Sequence, residues 1–274
     1  MKNLILFLLL ILFAVSGYSY SQDSTASKEL RKLPQSAFGL GEKLEFEISY
    51  GFVTAGYAVM EIAPNFVVMN GRNCYDITVT VGSTTSFDWV YKFREYYKCY
   101  LDAEGIFPWK FEQHLKEPTY EIDFVAVFDH LNQKVKTSQT IKGDKKPDAE
   151  HVIPQYVQDL ISTFYLARTM NFSSSKKDDV VKILSFNNDT TYNLGIRFLG
   201  REDAEVPAGD FRSFMVQPMI KEGAISSKAD DIVVWISDDE RKMPLIVQLS
   251  IIIGSVKAEL KSYQNLAGPL NSKK

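Results

Sequence analysis

The chain is 274 residues long, 45% hydrophobic and 24% charged, with a formal net charge of -3. That balance belongs to a folded globular protein and excludes a disordered one. No long basic or acidic block stands out, so the electrostatic footprint of a nucleic-acid binder, or of recruitment to anionic membrane, is missing.

Met1-Lys2-Asn3 precedes an unbroken apolar run from Leu4 to Val15, and Ser16, Gly17, Ser19 and Ser21 follow. A short basic start, a short apolar stretch and small residues are the parts of a secretory signal peptide, predicted over 1–21. A spanning helix needs about 20 apolar residues, so the run is too short to remain as an anchor. The protein is expected to be exported, to the periplasm or beyond, and not to be an integral membrane protein. Residues 22–38 are polar and aperiodic and read as a leader with the composition of a disordered segment. The remainder reads as one domain over 39–265 with a tail at 266–274.

Order begins at Gly41. Leu44, Phe46, Ile48 and Tyr50 alternate with Lys43, Glu45, Glu47 and Ser49, the pattern of a half-buried strand. Gly51 turns the chain into a returning strand over 52–62, and Asn70-Gly71 marks the next hairpin. Tyr75, Ile77, Val79 and Val81 continue at period two. Over 86–101 the pattern predicts one long strand with Phe87, Trp89, Tyr91, Phe93, Tyr97, Cys99 and Leu101 on one face, interrupted there by Glu95. Two further β segments follow at 107–115 and 120–128. Pro154 opens a predicted amphipathic helix near 155–169, with Val157, Leu160, Ile161, Phe164 and Ala167 as its stripe. The chain then returns to strands at 180–186, 192–199, 211–220, 231–236 and 243–253, with a final run broken by Gly254. The fold class is mostly β, a large antiparallel curved sheet forming a half-open or closed barrel with one helix. A lipid-facing barrel is disfavoured, because the outward positions Glu45, Glu47, Lys92, Arg94 and Lys98 are charged where an apolar band is required.

The segment from Gly41 to Gly51, followed by Ala55-Gly56-Tyr57-Ala58, resembles the opening of a family of exported bacterial proteins classed as a domain of unknown function. Asp159-Leu160-x-Ser162-x-x-Tyr165-x-x-Arg168, Pro207-Ala208-Gly209-Asp210-Phe211, and Val234-Trp235-Ile236-Ser237 with Arg241 and Pro244 are similar to later pieces of the same family, in the same order. The resemblance implies a large β fold in the cell envelope and brings no catalytic residues with it. The C-terminal pattern is also similar to that of periplasmic lipoprotein carriers with an open β-barrel, an analogy of pattern alone.

No catalytic or metal constellation emerges, and no cofactor is implied. His114, His130 and His151 lie in separate segments without zinc or iron spacing and read as surface or turn residues. There is no G-x-S-x-G and no phosphate loop. Asp230-Asp231 and Asp238-Asp239-Glu240 read as solvated turns more readily than as a calcium site. Cys74 and Cys99 fall on opposite strand faces, which argues against a disulfide although export favours one. Phe87, Trp89, Tyr91, Phe93 and Glu95 are the candidate ligand-binding residues: a wide curved sheet that cannot fill its own concavity leaves an aromatic-lined pocket. Glu95 would then pair with an arginine such as Arg168 or line the mouth. The leading functional expectation is a non-enzymatic envelope protein holding a lipid-like ligand, or an apolar stretch of another envelope protein, in a β cradle. The alternative is a structural or assembly partner of envelope proteins with a filled core, and a hydrolase is a distant third.

Overall fold

The computed structural model describes residues 29–187, 189–219, 232–251 and 254–274. The export segment expected at 1–21, and Asp230-Asp231, lie outside them. Sixteen strands form one antiparallel sheet. They are β1 (Lys43–Tyr50), β2 (Val53–Ile62), β3 (Val67–Met69), β4 (Arg72–Ser83), β5 (Arg94–Asp102), β6 (Pro108–Lys116), β7 (Glu121–Asp129), β8 (Lys134–Ile141), β9 (Asp144–Lys145), β10 (Ala149–Val152), β11 (Val180–Asn187), β12 (Thr190–Val206), β13 (Gly209–Met219), β14 (Ile232–Ser237), β15 (Pro244–Ser250) and β16 (Ser255–Gln264). The sheet runs β10-β8-β7-β6-β5-β4-β2-β1-β16-β15-β14-β13-β12-β11, with β3 on β4 and β9 on β8.

The expected mostly-β class holds, in the form of an unclosed barrel whose free edges are β10 and β11. Side chains join those edges. His151 Nε2 lies 3.1 Å from Asp189 Oδ1, Thr137 Oγ1 donates to the same carboxylate at 3.0 Å, and the His151 and Phe186 rings are 5.9 Å apart. Between the edges, Gln158 makes a parallel bridge to Ser185 of β11. Outward faces carry ion pairs such as Lys43–Glu45, Lys98–Asp76 and Lys110–Glu112, the reverse of a lipid-facing band. Among the described residues no helix is long and apolar enough to cross a membrane.

The helix α1 spans Leu160–Arg168 and is shorter than the expected 155–169. Two local forces set its start. Gln158 is held as a strand by backbone bonds to Leu184 and Phe186. Asp159 caps the first turn, accepting from the Ile161 and Ser162 amides at 2.7 and 2.8 Å, while its own amide donates to Ser162 Oγ at 2.8 Å. Helical spacing then splits the side chains into two stripes. Ile161, Ser162, Tyr165 and Arg168 are buried, and Leu160, Phe164 and Ala167 are less covered.

Arg168 ties the buried stripe down. Its guanidinium, 1% exposed, donates from Nη1 to Glu42 Oε1 at 2.6 Å and from Nη2 to Glu42 Oε2 at 3.0 Å, and Glu42 is equally buried. Further bonds reach the carbonyls of Ala37 at 3.0 Å and Arg241 at 3.2 Å, and the charge lies 5.4 Å from the ring centres of both Phe38 and Tyr165. Burial alone would lower the Arg168 pKa, but the Glu42 charge and hydrogen bonds outweigh it and leave the pKa raised.

One end of the barrel is covered by residues 29–38 and the C-terminal tail. Residues 29–38, expected as a disordered leader, pack as coil: Arg31 donates to the carbonyls of Gly105 and Ile106, both at 2.7 Å, and Ala37 and Phe38 are buried. The tail is tied in as well. Lys273 bridges Phe211 of β13, and Ser272 donates from Oγ to Asp239 at 2.6 Å. Asp239 also accepts from Ser237 Oγ and the Arg241 amide, so this turn acid serves as a latch.

Removing one member of a buried ion pair strands the other charge and typically costs about 3–5 kcal/mol. Arg168→Met and Glu42→Leu should each destabilise by about that amount in denaturant unfolding. The double variant should lie nearer wild type than either single one, because it leaves no unpaired charge.

Candidate functional site

The structure breaks up the predicted aromatic row. Residues 84–93 are a loop containing a helical turn, in which the Thr84 carbonyl accepts from the Phe87 and Asp88 amides at 2.9 Å. Ser83 Oγ donates to Asp88 Oδ1 at 2.5 Å, and Arg94 Nη2 donates to Asp88 Oδ2 at 2.8 Å, a local knot that overrides the strand alternation. Phe87 and Tyr91 are half-buried, Trp89 is 85% exposed at the loop tip, and Phe93 is sealed in the core. These residues do not form a common pocket wall.

Glu95 is buried on β5 and does not meet Arg168, whose charge is taken by Glu42. It accepts from Tyr97 Oη at 2.9 Å. Glu117, also buried, accepts from Tyr91 Oη at 2.9 Å, and its Oε1 has no hydrogen-bond partner. Desolvation pushes the Glu95 pKa up to about 8 against the bond from Tyr97, with the Glu117 charge adding to the rise. Desolvation likewise raises Glu117, against the Tyr91 bond.

The enclosed space lies elsewhere. A cavity of about 270 Å³ separates α1 from the wall formed by β1, β2, β4 and β12–β16. Its helix side is the less covered stripe, Leu160, Phe164 and Ala167, with Thr163 beside them. The facing wall is built from small and medium aliphatics, including Ala58, Val79, Val81, Val234, Val247 and Ala258. The other half of the barrel interior holds Tyr97, Phe111, Phe124 and Phe128, which fill it. The cavity therefore follows from side-chain volume, large rings on β5–β7 and small groups opposite. Ala58, Met60, Pro218, Val234 and Val247 are only half-buried, so solvent reaches the space. Thr163 and Arg168 are polar residues of the lining. Both are engaged, Thr163 Oγ1 with Ser185 Oγ at 2.9 Å and Arg168 with Glu42.

Two other polar positions are structural. His130, expected at the surface or in a turn, is fully buried among Phe107, Trp109, Phe128 and Tyr156. Nδ1 accepts from the Tyr156 amide at 3.1 Å, and Nε2 lies 2.7 Å from the Pro108 carbonyl, which assigns the proton to Nε2. Desolvation lowers its pKa to about 4, against the Pro108 bond. Cys74 and Cys99 are free thiols. Cys99 points inward and lies 3.2 Å from Asp159 Oδ2, whereas Cys74 packs with Phe107 and Trp109. Among the described residues no group of three or more His, Cys, Asp or Glu is placed to hold a metal.

A continuous antiparallel sheet, curved around one helix and left open at one seam, defines a β-barrel-like protein. The crystal structure of a β-barrel-like protein of the domain of unknown function DUF1849 from Brucella abortus shares this fold. Its TM-score is 0.53 at 9% identity, over 83% of this chain and 99% of that one. A protein of YmcC-like fold from Bacteroides fragilis aligns with a TM-score of 0.36 at 9% identity, over 85% of this chain and 99% of that one. Residues 45–261 match the family described as protein of unknown function (DUF3108), and the chain belongs to that family. No curated protein matches.

The buried acid pair makes stability pH-dependent in a defined window. Below the ordinary glutamate pKa of about 4.5, Glu95 is protonated in folded and unfolded chains alike. From there to about 8 the folded state keeps a proton that the unfolded state releases, so stability falls as pH rises. Glu95→Gln keeps the acceptor for Tyr97 without the charge. It should raise stability above pH 8 by about 5 kcal/mol, with little effect at pH 4.5. Chemical unfolding at both pH values measures it, and an equal effect at both would contradict the assignment.

Proposed function

We propose that this protein, after export to the cell envelope, holds the chain of a lipid-like or similarly elongated apolar molecule in the cavity between α1 and the sheet, without enzymatic chemistry. The observation that carries this reading is an apolar, solvent-reachable space of about 270 Å³ inside the barrel. The volume sits near the lower end of the roughly 300–1,000 Å³ range of small-molecule sites, which favours one acyl chain over a whole diacyl lipid. Because Thr163 and Arg168 already have partners, the cavity offers no free charged anchor among the described residues. Recognition then rests on the apolar chain, and selectivity for a headgroup should be weak. A scaffold with a filled core, the competing reading, would need this volume occupied by side chains.

A fluorescent fatty-acid probe titrated into the protein tests the proposal. Wild type should bind saturably. Ala58→Trp, which places a large ring in the cavity, should weaken binding by about tenfold or more with stability nearly unchanged, because the ring fills existing space. A wild type that binds no probe, together with an Ala58→Trp variant destabilised by the roughly 1–3 kcal/mol of an overpacked core, would favour the scaffold instead.

A further inference from the structure

At the barrel end opposite the covered one, the β1–β2 turn and the β4–β5 loop are neighbours. Gly56 pairs with Ser83, and the Thr84 amide donates to the Ala55 carbonyl. Phe52, at the tip of the first, is 101% exposed, and Trp89, at the tip of the second, is 85% exposed. Val53 and Val90 beside them are 43% and 48% exposed. Other exposed apolar residues are scattered, and the most prominent ring among them, Phe66, packs on Tyr75 at 5.2 Å. The cavity reaches this same end, because its lining includes Pro218 near the close of β13 and Ile232 at the start of β14.

We propose that this rim docks on the interface of a phospholipid bilayer, with Phe52 and Trp89 as the inserted rings. Two aromatic side chains cover roughly 300–500 Å², well short of the roughly 800 Å² per partner that a stable protein interface buries. They also stand on separate hairpin tips with no flat surface shared between them. A bilayer interface accepts isolated rings of this kind, and tryptophan in particular sits at the headgroup level. Beside Trp89, Asp88 is paired with Arg94, and Lys92 is exposed. With no basic cluster among the described residues of the two tips, insertion should be driven by the rings and be weakly sensitive to salt. Docking in this orientation turns the cavity end toward the lipid. That consequence rests on the proposed ligand, whereas the docking itself stands on the rim alone.

The test is tryptophan fluorescence of the full chain with zwitterionic phosphatidylcholine vesicles carrying brominated acyl chains. The three tryptophans are Trp89, Trp109 and Trp235. Trp109 is buried, and Trp235 is half-buried on β14, donating to Glu202 at 3.1 Å, so Trp89 is the tryptophan at this rim. The expected result is a blue shift and quenching that disappear in Trp89→Phe. Phe52→Ser with Trp89→Ser should weaken vesicle binding by about tenfold or more, at low and high salt alike. Reading out at position 89 separates rim docking from any attachment through the apolar N-terminal run. Vesicle binding without quenching at Trp89, binding to anionic vesicles alone, or a dimer that the double variant abolishes would each overturn the proposal. The double variant should still bind the soluble fatty-acid probe. For the wild type, probe binding without vesicle docking defeats the rim inference alone, and vesicle docking without probe binding defeats the cavity reading alone.

Discussion

The arrangement of this fold depends on one guanidinium held away from water. Arg168 closes α1 and converges on Glu42, on the Ala37 carbonyl before β1, and on the Arg241 carbonyl in the β14–β15 turn. A buried charge is tolerated only when its donors are satisfied, so with Arg168 present these distant segments are favoured to assemble together. The N-terminal coil, the start of the sheet, the helix and a C-terminal turn are thereby locked at one end of the barrel. Asp159 anchors the other end of the helix against Cys99 of β5. With both ends fixed, the helix cannot move across to close on the opposite wall.

That constraint turns a difference in side-chain size into an internal space. The helix packs Ile161 and Tyr165 into the ring-filled part of the interior, and it presents Leu160, Phe164 and Ala167 to a mostly aliphatic wall in which Ala58, Ala258 and several valines leave room. A core free to relax would collapse around so large a void, since close packing is the default inside proteins. The open seam between β10 and β11 is held by side chains and the Gln158 bridge, so part of the wall lacks a continuous backbone ladder.

Much of the fold was legible in the sequence, because strict alternation in β1, the Asn70-Gly71 turn and the paired C-terminal runs each record a local rule. The row from Phe87 to Phe93 misled for a local reason too. Period two was present, but Ser83, Asp88 and Arg94 form a side-chain knot that bends the chain into a loop, and alternation carries no record of such bonds. The helix began late because Asp159 and Ser162 make a better start than Pro154. Glu42 and Arg168 both stood within recognised motifs, yet they lie 126 residues apart and nothing local in either motif paired them. The strand β8, with Lys134, Lys136 and Ser138 among its residues, was too polar to announce itself, although Val135 and Thr137 face inward. The cavity did leave a trace: the inward positions of β2, β4 and β16 carry Ala58, Val79, Val81 and Ala258, smaller than the inward rings of β5–β7. Reading size as well as polarity at inward positions would have moved the candidate site from the aromatic row to this wall.

The most direct measurement of the central claim is methyl-resolved NMR of the protein during addition of a medium-chain fatty acid, with intermolecular contacts recorded from the acyl chain. The account predicts contacts and shift changes at Ala58, Met60, Ala167, Val247 and Ala258, on both sides of the cavity at once. Ligand contacts confined to exposed residues such as Val68 and Val152, with those methyls unmoved, would contradict it.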